Sequence, residues 1–372
     1  MLGFMSGTSL DAIDMALLDT DGEQLTGFGP AGEMALPDAV RDRVRDAIEA
    51  GRQWPRGAPE PNSFAIASAA VADAHLAAAQ DFLARYGLGW QDIDLIGFHG
   101  QTVVHEPPRP ERRGRTVQLG DAGRIAEVSG RPVAFDFRSA DVAAGGHGAP
   151  LAPVYHLARA RASGMARPLA VLNIGGVANI TLEDGEGLVS AFDTGPGNGL
   201  IDSWVEACGL GRFDVDGALA RRGRVNGAAL AVLLDHPHFR LQGPKSLDRY
   251  DFDLLPVQGL SPEDGAATLT SFTAKTVAMA LTGVGCSAIV VSGGGRKNGA
   301  LLSALGLETR RPIITAERAG WRGDALEAEA FAYLAARTLK GLPISFPGTT
   351  GAPAAMTGGR VVYPGGGADP SR

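Results

Sequence analysis

The stretch Gly3–Asp14, GFMSGTSLDAID, runs from an apolar segment through a small hydroxyl-rich turn into a second segment that opens on two carboxylates. Leu2 to Met5 reads as a short strand and Ser6-Gly7-Thr8-Ser9 as a tight turn. Ala12 to Leu18 reads as the returning strand, ended by the hairpin signal Asp19-Thr20-Asp21-Gly22. The pattern returns at 169–182, LAVLNIGGVANITL, as strand, glycine turn with amide side chains, and strand. One such unit in each half predicts duplicated domains, each built on its own sheet.

Outward from these two units, strands alternate with long helical segments, which predicts an α/β fold. Charges at helical spacing mark 38–50, and the Pro/Gly/Arg-rich 51–61 reads as a loop. The Ala-rich 62–86 reads as a long helix capped by Asn62 and stopped by Gly87. DLIGF (94–98) is a buried strand with His99-Gly100-Gln101-Thr102 at its C-terminal end, and 106–115 is a charged, Pro-rich loop. PVAFDF (132–137) is a further strand, and the crossover between domains is expected directly after it. In AFDTGPGN (191–198), Asp193 is expected to end a strand before a turn. A helix over 200–208, a loop at 243–252 and a helix over 264–281 follow. Then come a strand, glycine turn and helix start over 287–302 and a terminal helix over 324–341. The expected domains are 1–137, rejoined by the tail 345–372, and 138–344.

Composition narrows the function. Of 372 residues 45% are hydrophobic and 20% charged, ordinary for a soluble globular chain, with length enough for two cores. Glycine, at 52 residues, is about twice its average usage. It concentrates in GGV, GPGNG, GGGRKNG and AGGHGAP, as functional turns do. A formal net charge of −7, with no basic stripe carrying interleaved aromatics, argues against nucleic acid as a partner. The two cysteines, Cys208 and Cys286, lack metal spacing and fit a reducing compartment. No apolar run approaches a bilayer span and no leader peptide is evident, so a cytoplasmic protein is expected.

A Gly/Ser/Thr turn after a strand presents backbone N–H groups with little side-chain bulk, a concavity suited to phosphate oxygens. One such turn is ordinarily only a hairpin. Here there are three: Ser6–Ser9, Gly175-Gly176 with Asn173 and Asn179, and Gly293–Gly295. Known nucleotide signatures fail on spacing. GPKS has Pro where a Walker A loop needs Gly and follows no strand, and GGGRKNG puts Asn298 where the dinucleotide fingerprint ends on glycine.

GFMSGTSLDAID, FHGQT, DFRSADVAAGGHGAPLAPVYH, NIGGVANIT, FDTGPGN, GPKSLDRYDF, VSGGGRKN and LEAEAFAYLA occur in this order from residue 3 to about residue 350. In these motifs the chain resembles the anhydro-N-acetylmuramic acid kinase family. The resemblance implies an actin/hexokinase/Hsp70-type fold: two RNase H-like domains flanking an ATP and substrate cleft. It implies opening of the 1,6-anhydro bond of anhydro-N-acetylmuramic acid by water, with phosphorylation of the 6-oxygen, in cell-wall recycling. ATP and Mg²⁺ are the implied cofactors and a homodimer the implied assembly.

Carried onto this chain, Gly7, Thr8, Ser9, Leu10, Asp11, Ala12, Ile13 and Asp14 would bind ATP phosphate. Gly175 and Gly176 would form a second phosphate loop, and Gly293, Gly294 and Gly295 would let the backbone pack against adenosine. Asp193, the acid of the FDxGPGN motif, would be the base that takes a proton from the attacking water; without the resemblance it reads as a structural turn acid. His99, Gln101, Arg138, Asp141, Lys245 and Glu327 are the substrate-binding candidates. Each has a plain structural counterpart: a satisfied loop histidine, an interdomain salt bridge for Arg138 and Asp141, a solvated lysine, and a helix N-terminal carboxylate. His75, His236 and His238 read as structural or surface residues, His105 and His156 carry no chemical signal, and Phe4, Phe98 and Phe331 read as core.

Three positions depart from the wider pattern. Ala12 replaces a glycine, and His147 stands where glutamine is common. Met5 occupies the place of a metal-associated aspartate in many superfamily members, which leaves the metal ligands unassigned and Asp11 or Asp14 acting through water. Two other readings stand beside the kinase. A chaperone-like ATPase module would need a peptide-binding domain or apolar groove. An ordinary sugar kinase would use the aspartate on a substrate hydroxyl.

Overall fold

In the computed structural model the opening stretch forms the expected hairpin. Strand β1 (Leu2–Ser6) pairs antiparallel with β2 (Ala12–Thr20), and β2 with β3 (Leu25–Ala35). The structure describes every residue except 8, 110, 184–186, 188, 242, 248–250 and 367–372. Helices α1 (Asp38–Gln53) and α2 (Asn62–Arg85) follow, then β4 (Ile96–Phe98), β5 (Gln101–Glu106), β6 (Arg115–Leu119), α3 (Ala122–Ser129), β7 (Val133–Phe135), α4 (Ser139–Ala143) and α5 (Pro153–Ala162). Next are β8 (Leu169–Ile174), β9 (Val177–Glu183), β10 (Val189–Pro196), α6 (Gly199–Ala207), α7 (Gly227–Leu234), α8 (Pro262–Ala280), β11 (Ile289–Ser292), α9 (Gly299–Thr309) and β12 (Ile313–Thr315). The chain then forms α10 (Leu326–Leu339), α11 (Pro347–Thr350) and β13 (Arg360–Val362).

The chain divides into two compact units. Unit 1 is Met1–Ala162 with the chain from Ala325 onward, and unit 2 is Ser163–Asp324. In unit 1 the sheet runs β13-β7-β4-β1-β2-β3, and in unit 2 it runs β10-β9-β8-β11-β12. Written from each unit's own first strand, with the separate β5–β6 pair left aside, unit 2 reads 3-2-1-4-5 and unit 1 reads the same with β13 added outside as a sixth strand, antiparallel to β7. The second strand is antiparallel to both neighbours, and the fourth and fifth are parallel to the first. The duplication legible only as a pattern in the sequence is thus a duplication of topology, that of the RNase H-like sheet.

The domain boundaries differ from those expected at 137/138 and 344/345. Helix α10 belongs to unit 1 because it lies directly on β1 and β4. A Cβ at Gly3 would stand 1.9 Å from the Ala328 carbonyl oxygen, and one at Gly97 2.2 Å from that of Phe331. Helices α4 and α5 are held there too. Asp141 bonds Ser345 and Thr350, and the buried Tyr155 hydroxyl donates to Glu329 of α10.

On the other face of the unit 1 sheet, Leu2, Phe4, Ile13, Met15, Ile96 and Phe98 pack with Val71, Ala79, Phe82 and Leu83 of α2 into an apolar core. Burying side chains of this size contributes roughly 1.5–3 kcal/mol each. His75 sits inside it, edge-on to Phe4 and Phe98, a buried neutral ring whose pKa desolvation lowers to about 4. In unit 2, Leu172, Ile174, Ala178 and Ile180 pack against Ala274 and Val277 of α8 and Leu301 and Leu305 of α9.

Two local expectations are corrected. Asn62 is not the cap of α2: Pro61 holds that position, extended at ψ 138, and no side chain caps the end. A proline's fixed φ suits the entry, and its carbonyl accepts from Phe64 N at 2.9 Å. Asp193 does not end its strand either. Strand β10 continues to Pro196, with Thr194 as the extra residue of a bulge between Asp193 and Gly195. Among the described residues no helix is long and apolar enough to cross a membrane.

Candidate active site

In unit 2 the three glycine segments converge on one edge of the sheet. Strands β8, β10 and β11 run the same way and end at Ile174, Pro196 and Ser292, so Gly175, Gly197 and Gly293 leave the sheet side by side. The Gly175 and Gly176 carbonyls accept the N–H groups of Asn198 (2.8 Å) and Gly197 (3.0 Å). Gly293, at φ +72, approaches so closely that a Cβ would lie 2.4 Å from Asn173 Oδ1, whereas a Cβ at Gly176 would meet nothing within 4 Å. The first glycine is therefore structural, and the second leaves open room above the turn. Gly294 and Gly295 pass beside the Asn198 amide.

Arg296 fastens this turn from behind. Its side chain is 4% exposed; Nη1 donates to the Gly293 carbonyl at 2.9 Å, Nε to Glu317 at 2.7 Å, and Nη2 pairs with Asp324 at 2.6 Å. Beyond its place next to the glycines it carried no signal in the sequence, because its carboxylate partners, Glu317 and Asp324, lie far along the chain.

Asp193 lies one register step inside the same edge. Residues Ser292, Asn173, Asn179 and Asp193 pair in a row across β11, β8, β9 and β10, which puts their side chains on one face. Among the described residues the Asp193 carboxyl accepts a hydrogen bond from Leu247 N to Oδ2 at 2.8 Å. Desolvation pushes its pKa up to about 6, and the Leu247 bond opposes the shift. Lys245, expected to meet substrate, points its ammonium at the carbonyls of His238 (3.0 Å) and Leu241 (3.2 Å) and over the Phe192 ring. Burial lowers its pKa.

In unit 1 the opening turn closes through Leu10 N to the Gly7 carbonyl at 3.2 Å, with Leu10 in the left-handed region at φ +57. Arg41 Nε donates to the Leu10 carbonyl (2.8 Å) and Gln101 Nε2 to that of Gly7 (3.2 Å), so Gln101 braces the turn. Ser9 Oγ and Ala12 N both donate to Asp11 Oδ1, at 2.5 and 3.0 Å. Leu10 and Ile13 are buried in the apolar core, Ala12 is half-buried in β2, and Thr8 lies outside the described residues. Asp14 pairs directly across from Met5, so a carboxylate stands on the neighbouring strand beside the position where the sequence lacks one.

His99, Arg138, Asp141 and Glu327 form the other group in unit 1. Arg138 Nε donates to His99 Nε2 at 3.0 Å, which makes that nitrogen an acceptor and leaves Nδ1–H to donate to the Gly100 carbonyl at 2.7 Å. Both ring nitrogens are thus taken by protein, and burial holds the ring neutral, its pKa well below the usual value. Asp141 is likewise enclosed: Gly148 N, Ser345 Oγ and Thr350 Oγ1 donate to it at 2.6, 2.5 and 2.7 Å. His147 joins this knot through its backbone, with N donating to the Thr350 carbonyl at 2.7 Å. Glu327, in the first turn of α10, is solvent-accessible, and desolvation by the surrounding protein raises its pKa against the pull of Arg138. Beside His99 a cavity of about 320 Å³ is lined by Thr116, Gln118, Asp136 and Ser139, which carried no signal in the sequence.

Residues 1–364 match the family described as anhydro-N-acetylmuramic acid kinase. The chain belongs to that family. It is 62% identical over 364 residues to the anhydro-N-acetylmuramic acid kinase of Caulobacter vibrioides, covering 97% of this chain and 98% of that one. It is 59% identical over 366 residues to the protein of the same name from Phenylobacterium zucineum, at 98% and 99% coverage. Among solved structures, the activator of the 2-hydroxyisocaproyl-CoA dehydratase from Clostridium difficile with bound ADPNP aligns with a TM-score of 0.45 and 13% identity, over 91% of this chain and 96% of that one. Membership in the anhydro-N-acetylmuramic acid kinase family makes the chain a phosphotransferase, and the α/β duplication is the architecture that the family resemblance implied.

Proposed function

We propose that the chain converts 1,6-anhydro-N-acetylmuramic acid, water and ATP to N-acetylmuramic acid 6-phosphate and ADP in cell-wall recycling. The observation that carries this reading is the Asp193 carboxyl. Oδ2 is held by the Leu247 N–H, the pKa is raised to about 6, and the group stands on a sheet edge crowded with glycine turns. A base works best with its pKa near the working pH and with a free oxygen within hydrogen-bond reach of the proton it takes. Water attacks the anomeric carbon as its proton passes to Asp193, the bond from C1 to the 6-oxygen breaks, and that oxygen takes the γ-phosphoryl group of ATP. Breaking a glycosidic bond by base-assisted water resembles inverting hydrolysis, with phosphoryl transfer capturing the leaving oxygen.

The opening turn in unit 1, and Gly175-Gly176 and Gly293–Gly295 in unit 2, are the proposed nucleotide contacts within their respective units. Arg138 and Glu327 are the proposed sugar contacts. We assign His99, Gln101, Asp141 and Lys245 to the support of those contacts, since their polar groups are engaged with protein. Magnesium fits the carboxylates beside the first turn, Asp11 and Asp14, because it is commonly bound through one or two carboxylates, water and phosphate oxygens. When bound it supplies charge neutralisation at the phosphates. A homodimer and a cytoplasmic setting are proposed on the family resemblance.

Turnover in ¹⁸O-labelled water tests the reading. Label at C1 of the phosphorylated product is expected. Phosphorylation without label would make the chain an ordinary sugar kinase.

A further inference from the structure

We propose that His238 and Lys245 are positioning residues for the base, forming with the backbone of Lys245 and Leu247 a clamp that stands in for a missing neighbour strand. The inference rests on the assignment of Asp193 as the base. Strand β10 is the edge of its sheet. At Asp193 the backbone N–H and C=O turn away from β9, and an edge strand ordinarily leaves such groups to water. The bulge at Thr194 loosens the ladder at the next residue. A base on a bulged edge would therefore wander unless something outside the sheet held it.

One chain segment supplies that hold at three points. Asp193 N donates to the Lys245 carbonyl at 2.9 Å, His238 Nε2 lies 2.8 Å from the Asp193 carbonyl, and Leu247 N donates to Asp193 Oδ2 at 2.8 Å. A carbonyl only accepts, so His238 carries its proton on Nε2. The Lys245 ammonium then ties the segment to itself, donating to the carbonyls of His238 and Leu241. The segment has apolar feet: Phe239 and Phe252 stack on each other and both meet Phe272 of α8 edge-on. His238 itself is 4% exposed, packed edge-on to Phe239. A histidine that reads as structural and a lysine that reads as a substrate contact thus both converge on the catalytic strand.

The test compares His238→Ala, His238→Gln, Lys245→Met and Asp193→Asn in the full chain. Readouts are kcat and KM with ATP, Mg²⁺ and the anhydro sugar, ATP affinity by calorimetry, and thermal melting. Misplacing a reacting group by about 1 Å costs on the order of a hundredfold. His238→Ala and Lys245→Met are therefore expected to lower kcat by about ten- to a hundredfold while ATP affinity stays within about twofold. Glutamine places an N–H near the histidine Nε2 position, so His238→Gln should recover most of the kcat lost in His238→Ala. A kcat near wild type in both His238→Ala and Lys245→Met, or no advantage of glutamine over alanine, would overturn the clamp. If His238→Ala does not fold, Lys245→Met and His238→Gln decide by the same thresholds. Normal turnover in Asp193→Asn would instead remove the base assignment and the clamp with it, a result separable from loss of the clamp alone.

Discussion

A carboxyl whose pKa stands at about 6 works as a base only above that pH. The acid limb of kcat/KM is expected near pH 6, falling about tenfold per unit below it, and a limb near 4 would deny Asp193 the role. Asp193→Asn should reduce kcat by about 10²–10⁴-fold with ATP binding retained. Its stability should move the other way. The folded chain binds this proton more tightly than the unfolded chain, whose carboxyl titrates near 3.8. Ionisation therefore costs stability progressively as pH rises from 3.8 to about 6, and the cost is fully present above. The variant should melt higher than wild type at pH 8, and the gap should close as pH falls toward 4. Of the candidate residues, the glycine turns were legible because turn chemistry is local, whereas Asp193 was singled out only through the motif that carries the family resemblance. The roles of His99 and Lys245 were not, since what engages their nitrogens lies in contacts that folding makes.

Elements here meet through glycine for two different reasons, and substitution separates them. Gly97 faces α10 with no room for a methyl group, so Gly97→Ala should destabilise the chain by about 1–3 kcal/mol or more, read from a denaturant midpoint. Gly176 has nothing within 4 Å of a Cβ, so Gly176→Ala should leave the melting temperature within about 2 °C of wild type while raising KM for ATP several-fold. Equal stability losses in the two would mean that both glycines serve packing. The helices that periodicity predicted fell close to their expected positions, whereas β3, α3, α5 and α7 were not anticipated. The bulge in β10 was invisible because an extra residue in a strand changes register, not composition.

The whole molecule is a duplicated sheet with one unit inserted into the other. Unit 2 has its own five-stranded sheet and its own buried clusters, on α8 and α9 and around Trp204, Leu230 and Phe272. Residues 163–324 expressed alone should therefore fold, giving a single cooperative melt and a dispersed NMR spectrum; a spectrum of an unfolded chain would make that unit dependent on the rest. By itself the sequence determined the class of fold, its twofold repetition and the glycine turns, because strand period, turn chemistry and motif spacing are written in neighbouring residues. Only the tertiary structure decided where one unit stops, that α10 belongs to the first sheet, that Arg296 holds the Gly293 turn, and that His238 and Lys245 bond the backbone of Asp193. Those outcomes depend on groups distant along the chain being brought within hydrogen-bond or van der Waals distance, which no local pattern encodes.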